Sequence, residues 1–189
     1  MPNMVHWTHP AGVVPHLGRE EAESRHQYYL GPEHLLVGLL EQDEFLREAD
    51  SPGPGDDPAV ELLQAHGMDL ATVRAGIDRL VAQGAPPVQP VPHAPGSGTP
   101  LTCHRVLLRA CEEAVARDTD VGPLHLLLGL LRDAERPVDE GLSPGELRLR
   151  SMLGLPNSGP GPVKLLVEGE GLTLEDLQAA VRAELDPDR

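Results

Sequence analysis

The chain has 189 residues, which is enough to bury one substantial core or two small ones. It is 40% hydrophobic but only 2% aromatic, so its core must consist of Leu, Val and Ala, which predicts an all-α fold. The net charge of −15 would repel a phosphate backbone and excludes nucleic acid as an expected partner.

Two helices are predicted at the N-terminal end. Thr8 follows Trp7 and can cap a helix that runs to about Arg25. Gly31 then precedes Pro32, a favoured residue in the first turn of a helix. The apolar face of this second helix consists of leucines at helical spacing: Leu35, Leu36, Leu39 and Leu40.

Two further helices complete the first half. The loop over 48–58 is rich in Pro, Gly and Asp, and a short helix is predicted over 59–65. Gly67 ends it, and Asp69 can cap a fourth helix whose apolar residues recur at helical intervals. Six prolines then indicate an extended linker over 84–100.

The second half repeats the first. Residues 31–40, GPEHLLVGLL, reappear as residues 122–131, GPLHLLLGLL, and GMDLATVRAGIDRLV over 67–81 matches GLTLEDLQAAVRAEL over 171–185. The helix over 102–118 precedes the second motif. Duplication therefore predicts two four-helix units that pack about a pseudo-twofold axis.

The predicted units are residues 1–83 and 101–189, and the second has an enlarged, irregular loop over 132–162. Cys103 and Cys111 are eight residues apart in one predicted helix, about 12 Å, which is too far for a disulfide. Reduced thiols, no recognisable signal peptide and no apolar run of membrane-spanning length lead us to expect a cytoplasmic protein with no membrane partner.

The motifs resemble those of the Clp N-terminal repeat domain, which stands at the front of the ClpA and ClpC unfoldases. The resemblance lies in Trp7, Thr8, residues 20–22, residues 29–30 and the motif over 31–40. In that family each repeat begins Phe-Thr and reaches Gly-Thr-Glu-His-Leu-Leu-x-Gly-Leu. The chain contains no G-x-x-x-x-G-K-[ST] phosphate loop. It therefore looks like a free-standing, non-catalytic domain that needs no cofactor.

The resemblance implies that the chain binds degrons, adaptors or other substrate signals of a ClpC-type unfoldase, including phosphorylated arginine. Thr8 and Glu33 stand at the family's positions for a hydroxyl donor and a carboxylate that pairs with a guanidinium. Leu124 replaces the carboxylate in the second repeat, and Pro32 removes a hydroxyl and an N–H from the first. Glu33 is equally well explained as a first-turn acid that the helix dipole favours.

Trp7 supports an alternative function. The family's Phe at this position contributes to an apolar surface that receives cyclic peptide antibiotics in some actinobacterial members. The chain would then be a decoy that sequesters cyclic peptides. The simpler alternative is that Trp7 only packs the N-terminus onto the core.

An enzymatic or metal-binding function is the weakest alternative. His34 and His125 recur near helix starts, where an imidazole can bond a backbone group. No Cys or paired carboxylate completes a metal site around the N-terminal histidines: His6, His9 and His16. The adjacent acids at 20–21 and 112–113 point in different directions on a helix, so they do not form an acid–base pair.

Overall fold

Helix follows helix throughout the computed structural model, which describes residues 5–27, 30–48, 57–82, 101–137 and 159–187. The helices are α1 His9–Ser24, α2 Pro32–Glu48, α3 Pro58–Ala65, α4 Leu70–Ala82, α5 Leu101–Arg117, α6 Pro123–Ala134, α7 Pro162–Gly169 and α8 Leu174–Leu185. The β-structure among these residues is an isolated parallel bridge between Trp7 and Val121. The predicted all-α fold is confirmed.

The helices extend into the ends of both predicted loops. Glu48 belongs to α2 and Pro58 begins α3, so both bounds of the loop over 48–58 are helical. Residues 132–134 likewise belong to α6, and Pro162 begins α7. The linker predicted over 84–100 and the middle of both loops lie outside the described residues.

Side-chain caps start several of the helices where the sequence predicts them. The Thr8 hydroxyl accepts the N–H of Ala11 at 3.4 Å, and an Asp69 carboxylate oxygen accepts the N–H of Thr72 at 2.7 Å. Each cap satisfies a backbone donor that the helix itself leaves without a partner. Both predicted caps are confirmed.

The two repeats correspond down to single backbone conformations. His26 after α1 and Asp118 after α5 both adopt left-handed conformations, with φ of 56° and 54°. Gly67 and Gly171 do the same after α3 and α7, with φ of 78° and 76°. Since left-handed residues are uncommon outside glycine, these matched positions support the tandem duplication independently of the sequence motif.

One hydrophobic core joins the repeats. Helix α1 packs along α2 and α5 packs along α6, while α3 contacts α6 and α8, and α4 contacts α7. Leucines of both motifs lie in the same buried cluster, including Leu36 and Leu127. The repeats therefore form one folded unit, with α2 and α6 at its centre. None of the described helices combines the length and the apolar character that crossing a bilayer requires.

The glycine within each motif lets the helices of a pair approach closely. A Cβ at Gly38 would lie 2.4 Å from the carbonyl oxygen of Val14 on α1. A Cβ at Gly129 would lie 2.7 Å from the carbonyl oxygen of Val106 on α5. These neighbours are backbone atoms, so relieving the overlap requires moving a whole helix.

A buried carboxylate ties the C-terminal half of α1 to α4. Glu21 is 5% exposed and accepts hydrogen bonds from Arg25 at 2.5 Å and Arg74 at 2.7 Å. Burial raises the pKa of Glu21, but the hydrogen bonds from Arg74 and Arg25 outweigh it and hold the pKa below its ordinary value. The carboxylate therefore stays ionised and paired.

We expect Gly38→Ala to lower the free energy of unfolding by about 3 kcal/mol, because the added methyl group would overlap the α1 backbone. Gly12→Ala is the matched control, since a Cβ there meets nothing within 4 Å; it should stabilise α1 by about 0.5–1 kcal/mol. Urea unfolding followed by circular dichroism measures both values. Equal stability of the two variants would contradict the close approach of α1 and α2.

Candidate functional site

The segment in front of α1 pairs with the residue that precedes the α6 motif. The N–H of Thr8 donates to the carbonyl oxygen of Val121 at 3.0 Å, and the N–H of Val121 donates to that of His6 at 2.8 Å. The Thr8 hydroxyl donates to the same Val121 oxygen at 3.2 Å. The N-terminal segment of the first repeat is thereby fixed to the second repeat.

This pairing determines the orientation of Trp7. In a parallel bridge the hydrogen bonds run through the residues on either side of the paired one, so the N–H and C=O of Trp7 point away from Val121. Trp7 is half-buried and packs against the core. Packing of the N-terminus onto the core is confirmed, whereas the cyclic-peptide hypothesis stays a prediction.

Glu33 lies at the start of α2 and is folded back over the helix terminus. A Cβ at Gly31 would lie 2.3 Å from both of its carboxylate oxygens, so only glycine leaves room for this conformation. The carboxylate is 5% exposed, and its Oε1 lies 3.8 Å from Nδ1 of His34. An anion at a helix N-terminus interacts favourably with the helix dipole, in agreement with the first-turn explanation.

The start of α5 lies beside Glu33. The Cys103 thiol donates to the carbonyl oxygen of Leu30 at 2.9 Å. Burial raises the pKa of Cys103, and the charges of Glu33 and Asp133 raise it further. Both Cys103 and Cys111 are free thiols, as the sequence predicts.

Thr8 and Glu33 therefore lie at the starts of different helices. Thr8 contacts the segment that leads into α6, where Leu124 occupies the position equivalent to Glu33. Glu33 lies beside the start of α5. The sequence predicts a hydroxyl and a carboxylate within one repeat, and in the structure each of these two helix starts also lies against the opposite repeat. The role of Trp7, Thr8 and Glu33 in binding stays a prediction.

The two motif histidines fix helix starts. Nδ1 of His34 accepts the N–H of Gly31 at 2.9 Å, and Nδ1 of His125 accepts the N–H of Gly122 at 3.1 Å. Burial lowers the pKa of both imidazoles, which keeps them neutral. Nε2 of His34 then carries the proton and donates to Gln27 at 2.5 Å. The backbone-bonding role that the sequence predicts for them is confirmed.

A cleft of about 710 Å³ opens where α5 ends. Its lining residues come from α5, the following turn, the start of α6 and the end of the chain: Glu113, Ala116, Arg117, Thr119, His125, Leu185, Asp186 and Pro187. Arg117 forms ion pairs with Glu113 at 2.7 Å and Asp186 at 3.0 Å. The charges in the cleft are thus largely paired with one another.

The sequence analysis missed this cleft, although an internal difference between the repeats indicates it. Gln27 bonds His34 in the first repeat, whereas the shorter Thr119 at the equivalent position lies 3.4 Å from His125. The smaller side chain leaves space beside the imidazole. Within the described ranges, no three His, Cys, Asp or Glu side chains are grouped as metal ligands.

The structure is that of an all-helical domain with two repeats. In each repeat the motif histidine accepts a backbone hydrogen bond at the start of a helix. No family model matches the chain. It is 33% identical over 133 residues to a probable ATP-dependent Clp protease ATP-binding subunit of Chlamydia pneumoniae, covering 68% of this chain and 14% of that protein. It is 28% identical over 129 residues to the chaperone protein ClpB of Oceanobacillus iheyensis, again covering 68% and 14%.

Solved structures show the same fold. The N-terminal domain of the chaperone ClpD from Arabidopsis thaliana matches with a TM-score of 0.58 and 17% identity, covering 98% of this chain and 99% of that one. The Hsp104 N-terminal domain from Candida albicans matches with a TM-score of 0.56 and 14% identity, covering 97% and 93%. The resemblance to the Clp N-terminal repeat domain is confirmed. The chain spans about 14% of the length of the first two curated relatives.

We expect His34→Gln to reduce the acid sensitivity of folding. Burial lowers the pKa of His34, so the unfolded chain gains a proton below about pH 6.5 that the folded chain resists, and stability falls as the pH drops. Glutamine at this helix position can still accept the Gly31 N–H but cannot titrate. Thermal unfolding between pH 5 and 8, about the His range, measures the slope. The exposed His104 supplies the control His104→Gln, which should keep the wild-type slope; an equal slope in both variants would refute the explanation.

Proposed function

We propose that the chain is a non-catalytic receptor of the Clp proteolytic system that binds peptide segments of substrates or adaptors. The observation that carries the proposal is the bridge between Trp7 and Val121, which directs the N–H and C=O of Trp7 away from Val121. Sequence similarity to Clp ATP-binding subunits supports the biological setting. The functional groups of the motifs hold turns, which supports binding rather than chemistry.

The Trp7 backbone offers a short strand edge. An extended peptide that pairs with such an edge gains main-chain hydrogen bonds, and a neighbouring side chain supplies apolar contact. Trp7 is half-buried and carries its side chain beside its own N–H and C=O, so both kinds of contact come from one residue. Backbone pairing tolerates many sequences, as a receptor for varied substrates requires.

Trp7 is the sole tryptophan of the chain, so its fluorescence reports on this edge. We expect an uncharged, β-prone peptide of about ten residues to shift the Trp7 emission saturably. The same peptide with alternate backbone amides methylated should bind at least about tenfold more weakly, because it cannot donate to the Trp7 carbonyl.

The control variant is Trp7→Phe, followed by calorimetry. It keeps the backbone edge and an aromatic ring, so it should bind the unmodified peptide with similar affinity. Equal binding of the methylated and unmodified peptides would show that no strand pairing occurs at Trp7.

We further propose that Glu33 binds an arginine or phospho-arginine side chain. A guanidinium that pairs with both carboxylate oxygens would draw Glu33 away from Gly31 and open the start of α2. Few backbone donors are then left for a phosphate, because Pro32 has no N–H and His34 accepts the N–H of Gly31. We therefore expect peptides with arginine and with phospho-arginine to bind with affinities that differ by only a few-fold.

Calorimetric titration with both peptides tests the role of Glu33. We expect Glu33→Gln to weaken both by about tenfold or more, because the neutral amide loses the charge-assisted pair. The exposed Glu44 on the same helix supplies the control Glu44→Gln, which should bind as the wild type does. Thr8→Val should lower stability by about 2 kcal/mol, through loss of the cap and of the hydroxyl's bond to Val121, while leaving affinity unchanged. Loss of binding in Thr8→Val, with Glu33→Gln unaffected, would place the ligand at the α6 end instead.

A further inference from the structure

Ion pairs attach helix α4 to several other parts of the fold. Three side chains of α4 form these pairs, and they lie on successive turns or beside each other: Arg74, Asp78 and Arg79. We call them the α4 ion-pair residues. Their partners on other elements, within the described part of the chain, are Glu21 and Glu41 for Arg74, Arg25 for Asp78, and Glu170 for Arg79.

The apolar contact between α4 and the fold is small. Among the described helices, α4 packs against α2 and α7. Its buried positions are Val73, Gly76 and Ile77, and the middle one has no side chain. At that position α4 lies directly on α7, since a Cβ on Gly76 would come 2.5 Å from Cδ2 of Leu166. Because burial energy grows with apolar area, α4 gains little from packing.

The equivalent helix of the second repeat, α8, is attached in a different way. It packs against α3, α6 and α7, and it buries three apolar side chains where α4 buries two. Leu177 stands where α4 has Val73, and the neutral Gln178 stands where α4 has Arg74. The fold therefore does not require the last helix of a repeat to be attached by charges. Helix α4 depends on them, whereas α8 depends mainly on apolar burial.

Glu21 keeps a partner when α4 moves away. It accepts a hydrogen bond from Arg25 at 2.5 Å, and both residues lie at the end of α1. A buried carboxylate that lost its last partner would oppose the opening of α4 strongly. Because Arg25 stays beside Glu21, that cost does not arise. Arg74 is already 38% exposed and gains water in exchange for the carboxylates.

We infer that α4 opens as a unit while the rest of the fold stays closed, and that ionic strength controls this opening. Segments with few buried apolar contacts open at a lower free energy than the whole fold. Salt screens exposed ion pairs most, and the side chains of Asp78 and Arg79 are 70% and 58% exposed. Opening uncovers Leu166, which is 4% exposed in the closed fold, so an apolar surface forms only in the open state.

Hydrogen exchange of the full chain, measured by mass spectrometry, tests this opening. At about 0.05 M NaCl the amides of α4 should exchange faster than those of α8. Raising NaCl to about 0.5 M shortens the Debye length about threefold, so the opening of α4 should increase about three- to tenfold. The amides of α8 should change less than about twofold over the same range.

Two variants separate the ion pairs from the packing. Asp78→Asn changes an exposed side chain, so the melting temperature should stay the same while α4 opening increases about threefold and responds less to salt. Arg74→Met keeps the aliphatic stem but loses two pairs, and it should increase α4 opening at least about tenfold. The exposed Glu184 of α8 supplies the control Glu184→Gln, which should leave exchange in both helices unchanged.

Two results would overturn the inference. The first is exchange of α4 at the same rate as α8, which would show that α4 opens only when the whole chain unfolds. The second is exchange of α4 that neither salt nor Asp78→Asn changes, which would show that apolar contacts control the opening. Neither result bears on the proposed function, because the inference uses none of Trp7, Thr8 and Glu33.

Discussion

The carbonyl oxygen of Val121 accepts two hydrogen bonds from Thr8, one from its N–H and one from its hydroxyl. This contact connects residues 113 positions apart, and it fixes the segment before α1 against the segment before α6. It has a counterpart at the other end of the pseudo-twofold pair, where the Cys103 thiol donates to the carbonyl oxygen of Leu30. Each repeat thus supplies the partner for a helix start of the other, and the surface around Trp7 exists only when both are folded.

Comparison of equivalent positions in the two repeats distinguishes residues that the fold requires from residues that differ for another reason. Glu113 stands where Glu21 does, and each forms an ion pair with an arginine four residues later. The second arginine comes from α4 in the first repeat, as Arg74, but from α6 in the second, as Arg132. The fold therefore requires a compensated carboxylate here, whichever helix supplies the compensating charge. A difference without such compensation, Glu33 against Leu124, is the one that we connect with binding.

Local chemistry made much of the fold predictable from the sequence. Thr8 and Asp69 cap helices by accepting backbone N–H groups three residues later, and the motif histidine His34 accepts the N–H of a residue three positions earlier. Because these partners are so close in sequence, spacing alone predicts the bonds. The contact between Thr8 and Val121 could not be predicted in this way, because no local pattern records which helix start meets which. A pocket that includes both Thr8 and Glu33 stays a prediction, and packing places each of the two helix starts beside the other repeat. The cleft was missed because its walls come from parts of the chain that are far apart in sequence, the end of α5 and the residues that follow α8.

The distribution of ionisable groups also limits how the domain can bind. His34, His125, Glu21 and Glu113 are held by partners that fix turns or helix pairs, so their use in binding would cost stability. Glu33 is buried as well, and a ligand can reach it only by displacing the carboxylate from Gly31. Exposed apolar side chains carry no such cost, since the fold does not bury them. We therefore expect such a domain to gain affinity mainly from shape and main-chain pairing, and its strong negative charge would increase the rate at which cationic partners arrive.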